Sequence, residues 1–146
     1  MNRLNLICLG VNDMKESLSF YKNIGFKTYE KSDNPPIVFF DNQGTKLELY
    51  PLEQLTKDIN PDSPPKFQTG IFPGITLAIN MKTPEEVDAF FKDVHSAGGK
   101  IIKQPTKNPD WDGYSGYFTD PNGYYWEVAY GKIWQFDENN MLVIEE

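Results

Sequence analysis

Two segments of this chain share a turn and the placement of a carboxylate. Asp41-Asn42-Gln43-Gly44-Thr45-Lys46-Leu47-Glu48 is echoed by Asp120-Pro121-Asn122-Gly123-Tyr124-Tyr125-Trp126-Glu127. In each, Asp opens a turn, Gly follows three residues on, and Glu stands four residues past the Gly. Asp suits a turn because its carboxylate bonds downstream backbone N–H groups, and Gly because it accepts positive φ. Strand-like runs precede both turns, at residues 37–40 and 114–118, and another strand carrying the Glu follows each. Two such hairpins in 146 residues predict a duplicated module with a paired site.

The residues around the hairpins repeat one order. Residues 4–11 form a mostly apolar run of strand length. Asn12 or Asp13 is placed to cap a helix at 13–24 whose apolar face is Met14, Leu18, Tyr21 and Ile24, and Gly25 is placed to end it. Residues 26–30, 37–40 and 45–50 read as strands. In the second half, residues 75–81 read as a strand, and Thr83-Pro84-Glu85-Glu86 joins a capping box to a Pro at the first helical position. Val87, Phe90, Phe91 and Val94 supply the buried stripe of a helix at 84–97, and Gly98-Gly99 stops it. Strands follow at 100–103, 114–119 and 124–130. The chain thus reads as one domain, with module one at 4–50, a linker at 51–73, module two at 74–130 and a tail at 131–146. Five prolines mark the linker as a loop, and loops of that length are usually functional or mobile. The tail, with Trp134, Phe136 and a strand-like run at 141–144, can dock on the domain or on a second chain.

Composition narrows the partners. A net charge of −7 disfavours nucleic acid and anionic membrane and favours cationic ligands. No apolar run approaches the ~18–20 residues needed to span a bilayer. The apolar run at 4–11 is interrupted by Asn5 and lacks a cleavage site, so no signal peptide is expected. The single cysteine, Cys8, permits no internal disulfide and fits a reducing, cytoplasmic setting.

A duplicated βαβββ unit with a Glu late in each copy resembles the vicinal oxygen chelate superfamily. That group includes glyoxalase I, extradiol dioxygenases, fosfomycin-resistance proteins, methylmalonyl-CoA epimerase and bleomycin-resistance proteins. The residues that carry the resemblance are Leu9-Gly10-Val11-Asn12-Asp13 leading to Ser19-Phe20-Tyr21, and Asp120-Pro121-Asn122-Gly123 leading to Trp126-Glu127. It implies an α+β fold, two tandem βαβββ modules forming curved mixed sheets around a cup with helices outside. In metal-dependent members, the first and last strands of each module supply ligands, and those positions fall here on Leu6, Glu48, Ile75 and Glu127. Leu and Ile cannot coordinate, and His95, the sole histidine, lies in the second helix. Zn²⁺, Ni²⁺ or Fe²⁺ would lack imidazole, and Mg²⁺ or Ca²⁺ would want more oxygens. The expectation is no cofactor, with a divalent metal on Glu48 and Glu127 as the alternative.

Strand alternation predicts the lining of the cup. Lys46 and Tyr50 accompany Glu48; Tyr125 and Ala129 accompany Glu127; Leu4 and Cys8 accompany Leu6; Leu77 and Ile79 accompany Ile75. Trp111 and Tyr114, in an aromatic and glycine-rich stretch, are either packed on the core or set as a rim that stacks on a planar or cationic ligand. The expected ligand contacts are therefore Leu6, Cys8, Lys46, Tyr50, Ile75, Leu77, Trp111, Tyr114 and Tyr125. The expected function is binding of a small molecule without a metal, as a bleomycin-resistance-like member sequesters its ligand between subunits. The alternative is a glyoxalase-type lyase or isomerase, or a dioxygenase-related enzyme, with Glu48 and Glu127 as catalytic groups moving a proton beside a carbonyl. A cup open on one side exposes apolar surface, so a homodimer is expected.

Overall fold

The computed structural model describes residues 1–68 and 70–144; position 69 of the expected linker and 145–146 of the expected tail lie outside the described residues. The chain divides into two compact units, Met1–Ile71 and Phe72–Glu146. Their described residues carry two open mixed sheets and three helices, the α+β pair of strand–helix–strand modules that the repeat predicts. No described helix is long and apolar enough to cross a membrane.

The first unit runs β1 (Leu6–Val11), α1 (Met14–Asn23), β2 (Val38–Phe40), β3 (Lys46–Pro51) and α2 (Leu52–Ile59). Its sheet has the order β1-β3-β2, with β1 parallel and β2 antiparallel to β3. α1 begins where Asp13 accepts the Glu16 N–H at 2.9 Å, and Gly25 follows its end with φ 101°. Met14, Leu18, Tyr21 and Ile24 are all buried, as is the sheet face of Leu9, Val11, Val38, Phe40, Leu47 and Leu49. Tyr21 joins the two layers, its ring 5.7 Å from that of Phe40.

Two expectations fail in this unit. Residues 26–30 form no strand. Thr28 Oγ1 accepts the Glu30 N–H at 3.2 Å and Glu30 Oε1 accepts the Ser32 N–H at 2.7 Å, so side chains capture donors that a ladder would use. The segment is still tied to its neighbours, with the Thr28 hydroxyl donating to the Phe39 carbonyl at 2.7 Å. The linker is also not all loop, since it opens with α2. Most of its prolines fall beyond residue 60, leaving Leu52 and Leu55 free to turn onto β1. A Cβ on Gly10 would lie 2.6 Å from Leu52 Cδ1 and 3.2 Å from Leu55 Cδ2, so glycine lets the helix approach.

The second unit runs β4 (Leu77–Met81), α3 (Pro84–Ser96), β5 (Lys100–Lys107), β6 (Gly113–Thr119) and β7 (Tyr125–Gly131), with sheet order β4-β7-β6-β5. Thr83 Oγ1 caps α3 by accepting the Glu86 N–H at 3.2 Å, while Glu86 reaches back to the Lys82 N–H at 2.7 Å. Val87, Phe91 and Val94 are buried with Phe118, Trp126 and Val128. His95 is exposed in the last turn of α3. β5 extends past the expected residue 103, with two register shifts that fold its backbone over β6. Gly116 makes room for that: a Cβ there would sit 2.8 Å from the Lys103 carbonyl.

The Asp turns differ in who holds them. Asp120 Oδ1 accepts the N–H groups of Asn122 and Tyr124, both at 2.9 Å. In the first unit Asn42 takes that part, accepting the Leu47 N–H at 3.0 Å, while Asp41 pairs with Tyr29 and Lys46. A third turn of the Asp120 kind stands in the tail, where Asp137 Oδ1 accepts from Asn139 at 2.8 Å and Met141 at 2.9 Å. Asn140 occupies its glycine position with φ 59°. The strand-like run at 141–144 reduces to a single bridge, Phe136 to Leu142. The tail docks on the second unit, with Trp134 stacked on Trp111 at 5.5 Å and Lys82 Nζ bonded to Asn140 at 2.6 Å.

Candidate functional site

The β1–β3 register pairs Leu6 with Lys46, Cys8 with Glu48 and Gly10 with Tyr50, and Phe39 of β2 pairs with Glu48. Paired residues share a face, so these side chains stand opposite the α1 core. Lys46 turns its ammonium away from Glu48 to Asp41, at 3.3 Å, and to the Asn42 carbonyl. Leu6 is 38% exposed, at the outer end of the strand. Between Cys8 and α2 lies a cavity of about 500 Å³. Cys8, Glu48 and Tyr50 line it from the sheet, Pro36 and Ile37 from the loop before β2, and Leu55 and Asp58 from α2.

Glu48 is 8% exposed and stands beside the Cys8 thiol, its register partner on β1. Burial, and then the Glu48 charge, push the thiol up to about 11. Cys8 is therefore a neutral donor and a poor nucleophile near pH 7. Glu48 is a carboxylate placed at the base of a small, partly apolar cavity.

In the second unit β7 places Tyr125, Glu127 and Ala129 on one face, as alternation predicts. Across the hairpin, Tyr117 pairs with Glu127, which sets its phenol beside that carboxylate. Burial, and then the Glu127 carboxylate, raise the Tyr117 phenol above its ordinary value. Tyr125 packs edge-on against Phe72 with centroids 5.2 Å apart.

Three expected contacts are placed otherwise. β4 pairs Leu77 with Trp126 and Ala78 with Glu127, so Leu77 and Ile79 look toward α3, and Ala78 and Asn80 share the Glu127 face. Ile75 precedes the strand and is 64% exposed. The large apolar side chains of β4 are half-buried on the helix side rather than set on the Glu127 face. Tyr114 pairs with Tyr130 and gives its hydroxyl to Asp88 of α3 at 2.8 Å, again on the helix side. Trp111 lies over Gly113, which pairs with Gly131 on the Glu127 face, and its ring is stacked on Trp134. Sequence reading missed Asp58, Leu55 and Tyr117. The spacing of Leu52, Leu55 and Ile59 marks an amphipathic helix, and counting back across the Asp120 turn finds Tyr117.

The donor set does not fit a resident divalent metal. Glu48 faces Cys8, whose thiol is held protonated, and Glu127 faces Ala78 across β4. Two residues before each of those partners stand Leu6 and Thr76, an alkyl group and a neutral hydroxyl. Among the described residues no group of three or more His, Cys, Asp and Glu could hold a metal ion.

Known proteins are similar to this chain in sequence and in fold. The family model described as Glyoxalase/Bleomycin resistance protein/Dioxygenase superfamily matches residues 3–128. The uncharacterized protein YraH of Bacillus subtilis (strain 168) is 30% identical over 121 residues, 82% of this chain and 91% of that protein. The metallothiol transferase FosB of Shouchella clausii (strain KSM-K16) is 26% identical over 133 residues, 91% of this chain and 83% of that protein. A glyoxalase-related enzyme from Fulvimarina pelagi has the same fold, with a TM-score of 0.85 and 24% identity over 100% of both chains. Lactoylglutathione lyase from Agrobacterium tumefaciens superposes with a TM-score of 0.67 and 21% identity, over 94% of this chain and 99% of that one. With the family match running from before β1 into the strand that carries Glu127, this chain belongs to the Glyoxalase/Bleomycin resistance protein/Dioxygenase superfamily.

Proposed function

We propose that this protein binds a small organic molecule in the cavity of its first unit, with Glu48 as the polar anchor and no metal taking part. The observation that carries this reading is the cavity of about 500 Å³ with a buried carboxylate at its base. That volume falls in the range of small-molecule sites, and a few fixed polar groups among apolar walls are what such sites use for orientation. Pro36, Ile37 and Leu55 supply the walls, and Tyr50 an aromatic side with a hydroxyl. The name of FosB, a metallothiol transferase, points to a metal in that protein, whereas the donors around Glu48 here do not suit one.

A second reading has its own support. Tyr117 stands beside Glu127 across the hairpin, where its phenol could orient that carboxylate for taking a proton next to a carbonyl, as in a glyoxalase-type lyase or isomerase. In that reading Glu127 accepts the proton, and Tyr117 holds it in position. We also propose a homodimer in the cytoplasm. Exposed Leu4, Leu6 and Phe39 on the first unit are apolar area that a second chain would cover.

Thermal-shift screening of a diverse compound set, with and without EDTA, tests the main reading. A ligand present at a hundred times its Kd should stabilise the protein by about 2.7 kcal/mol, equally in both conditions. Binding that needs an added divalent ion, or a hit whose affinity is untouched in Glu48→Gln, would refute it. Turnover of that hit, lost in Glu127→Gln and Tyr117→Phe, would establish the second reading. Light scattering that reports a monomer at micromolar concentration would remove the dimer.

A further inference from the structure

Among the described residues, no cation pairs with the carboxylate in the first-unit cavity. Glu48 is more than nine-tenths buried, and none of the described ion pairs includes it or Asp58. Its neighbour across the strand pair is the Cys8 thiol, a weak donor that brings no positive charge. Lys46, two residues away on the same strand, is taken up by Asp41 and the Asn42 carbonyl. Removing a carboxylate from water without an opposite charge is costly, and a site that tolerates it gains most from a ligand that brings that charge. Burial first, and then the Glu48 charge, raise the Cys8 thiol beside it. At the rim, α2 adds a second carboxylate, Asp58, and the net charge of −7 draws cations to the protein as a whole. The remaining walls, Pro36, Ile37 and Leu55, are apolar and would dehydrate a hydrocarbon body but not a hydrated metal ion.

Resting on the binding reading above, we infer that the ligand of this cavity is an organic cation. Its ammonium-type group pairs with Glu48 inside and approaches Asp58 at the rim, while an apolar or aromatic body lies against Ile37, Leu55 and Tyr50. The inference depends on α2, which brings Asp58 and Leu55 to the cavity.

Matched probes test it at neutral pH, where benzylamine is charged and benzyl alcohol is not. Cys8 is the sole cysteine, so selective ¹³Cβ-cysteine labelling places one reporter in the cavity. Benzylamine should shift that resonance saturably, at least about tenfold more tightly than benzyl alcohol, because it makes a charge-assisted bond to Glu48. Glu48→Gln should erase the difference, and Asp58→Asn, at an exposed position that tolerates change, should narrow it severalfold. Asp62→Asn, which removes the same charge outside the cavity, should leave it intact. If the two probes bind alike, the cation inference fails while the binding reading stands. If no probe or screened compound moves the Cys8 resonance, both fail. If Mg²⁺ or Ca²⁺ moves it and displaces benzylamine, the site belongs to an inorganic ion and the inference is overturned. It is overturned too if Glu48→Gln and Asp58→Asn both leave the difference unchanged.

Discussion

Cys8 should be slow to alkylate, and Glu48 should be one of the reasons. Burial first, and then the Glu48 charge, raise the thiol from 9.0 to about 11. Below pH 9 this cuts the thiolate fraction about a hundredfold against an unperturbed thiol, and the thiolate is the reacting form. Iodoacetamide should therefore modify Cys8 in the folded protein about a hundredfold more slowly than in urea, before any effect of access. Glu48→Gln removes the charge and leaves burial in place. The midpoint of the pH–rate profile should then fall less than half of the way toward 9, and the rate at pH 8 should recover by less than about tenfold. The midpoint separates ionisation from access, because access alters the rate without moving it. The same shift has a consequence for stability. The fold holds the thiol proton more tightly than the unfolded chain does. This contribution is whole below the unfolded thiol's ordinary value and is lost as pH rises through about 11. Cys8 is only partly buried, so solvent screening reduces the effect to about 1 kcal/mol, or about 2–4 °C. Cys8→Ser, which does not titrate, should lose that much less than the parent between pH 8 and pH 11. A Glu48→Gln midpoint equal to the parent's would refute the reasoning, since Glu48 would then contribute nothing.

Gly116→Ala should lower stability by about 2–3 kcal/mol, because a Cβ would meet the Lys103 carbonyl at 2.8 Å and the Pro105 nitrogen at 2.9 Å, both backbone; calorimetry should show Tm lower by about 4–10 °C. Gly131→Ala should unseat Trp134, whose ring lies 2.6 Å from the added Cβ; loss of any coupled indole signal in near-ultraviolet circular dichroism, with redder emission, would report it. Glu127→Gln should lower the Tyr117 phenol partway toward its ordinary value by removing the charge, leaving burial as the largest cause. Absorbance at 295 nm should then show one tyrosine titrating earlier than in the parent, an effect absent in a Tyr117→Phe background.

Much of the fold was legible because its signals are short-range. Asp13 and Thr83 cap their helices through hydrogen bonds spanning three residues, and Asp120 holds its turn within four. The Glu48 face was legible for the same kind of reason, since β1 and β3 alternate and the buried residues are large. On β4 the signal was present but assigned the wrong way round. Leu77, Ile79 and Met81 alternate with Ala78 and Asn80, and it is the small and polar side chains, not the apolar ones, that share the Glu127 face.

By itself the sequence determined which residues start and stop α1 and α3, where the hairpins turn, and that a Glu ends each module. Hydrogen bonds within a few residues decide those features, whatever the rest of the chain does. Only the tertiary structure decided that Glu48 meets Cys8, that Glu127 meets Tyr117 and Ala78, and that Asp58 comes to the rim of a cavity. Strand register and helix docking set those meetings through contacts between residues far apart in the chain. Packing of large side chains into the two cores governs them, and the chemistry of the exposed faces follows.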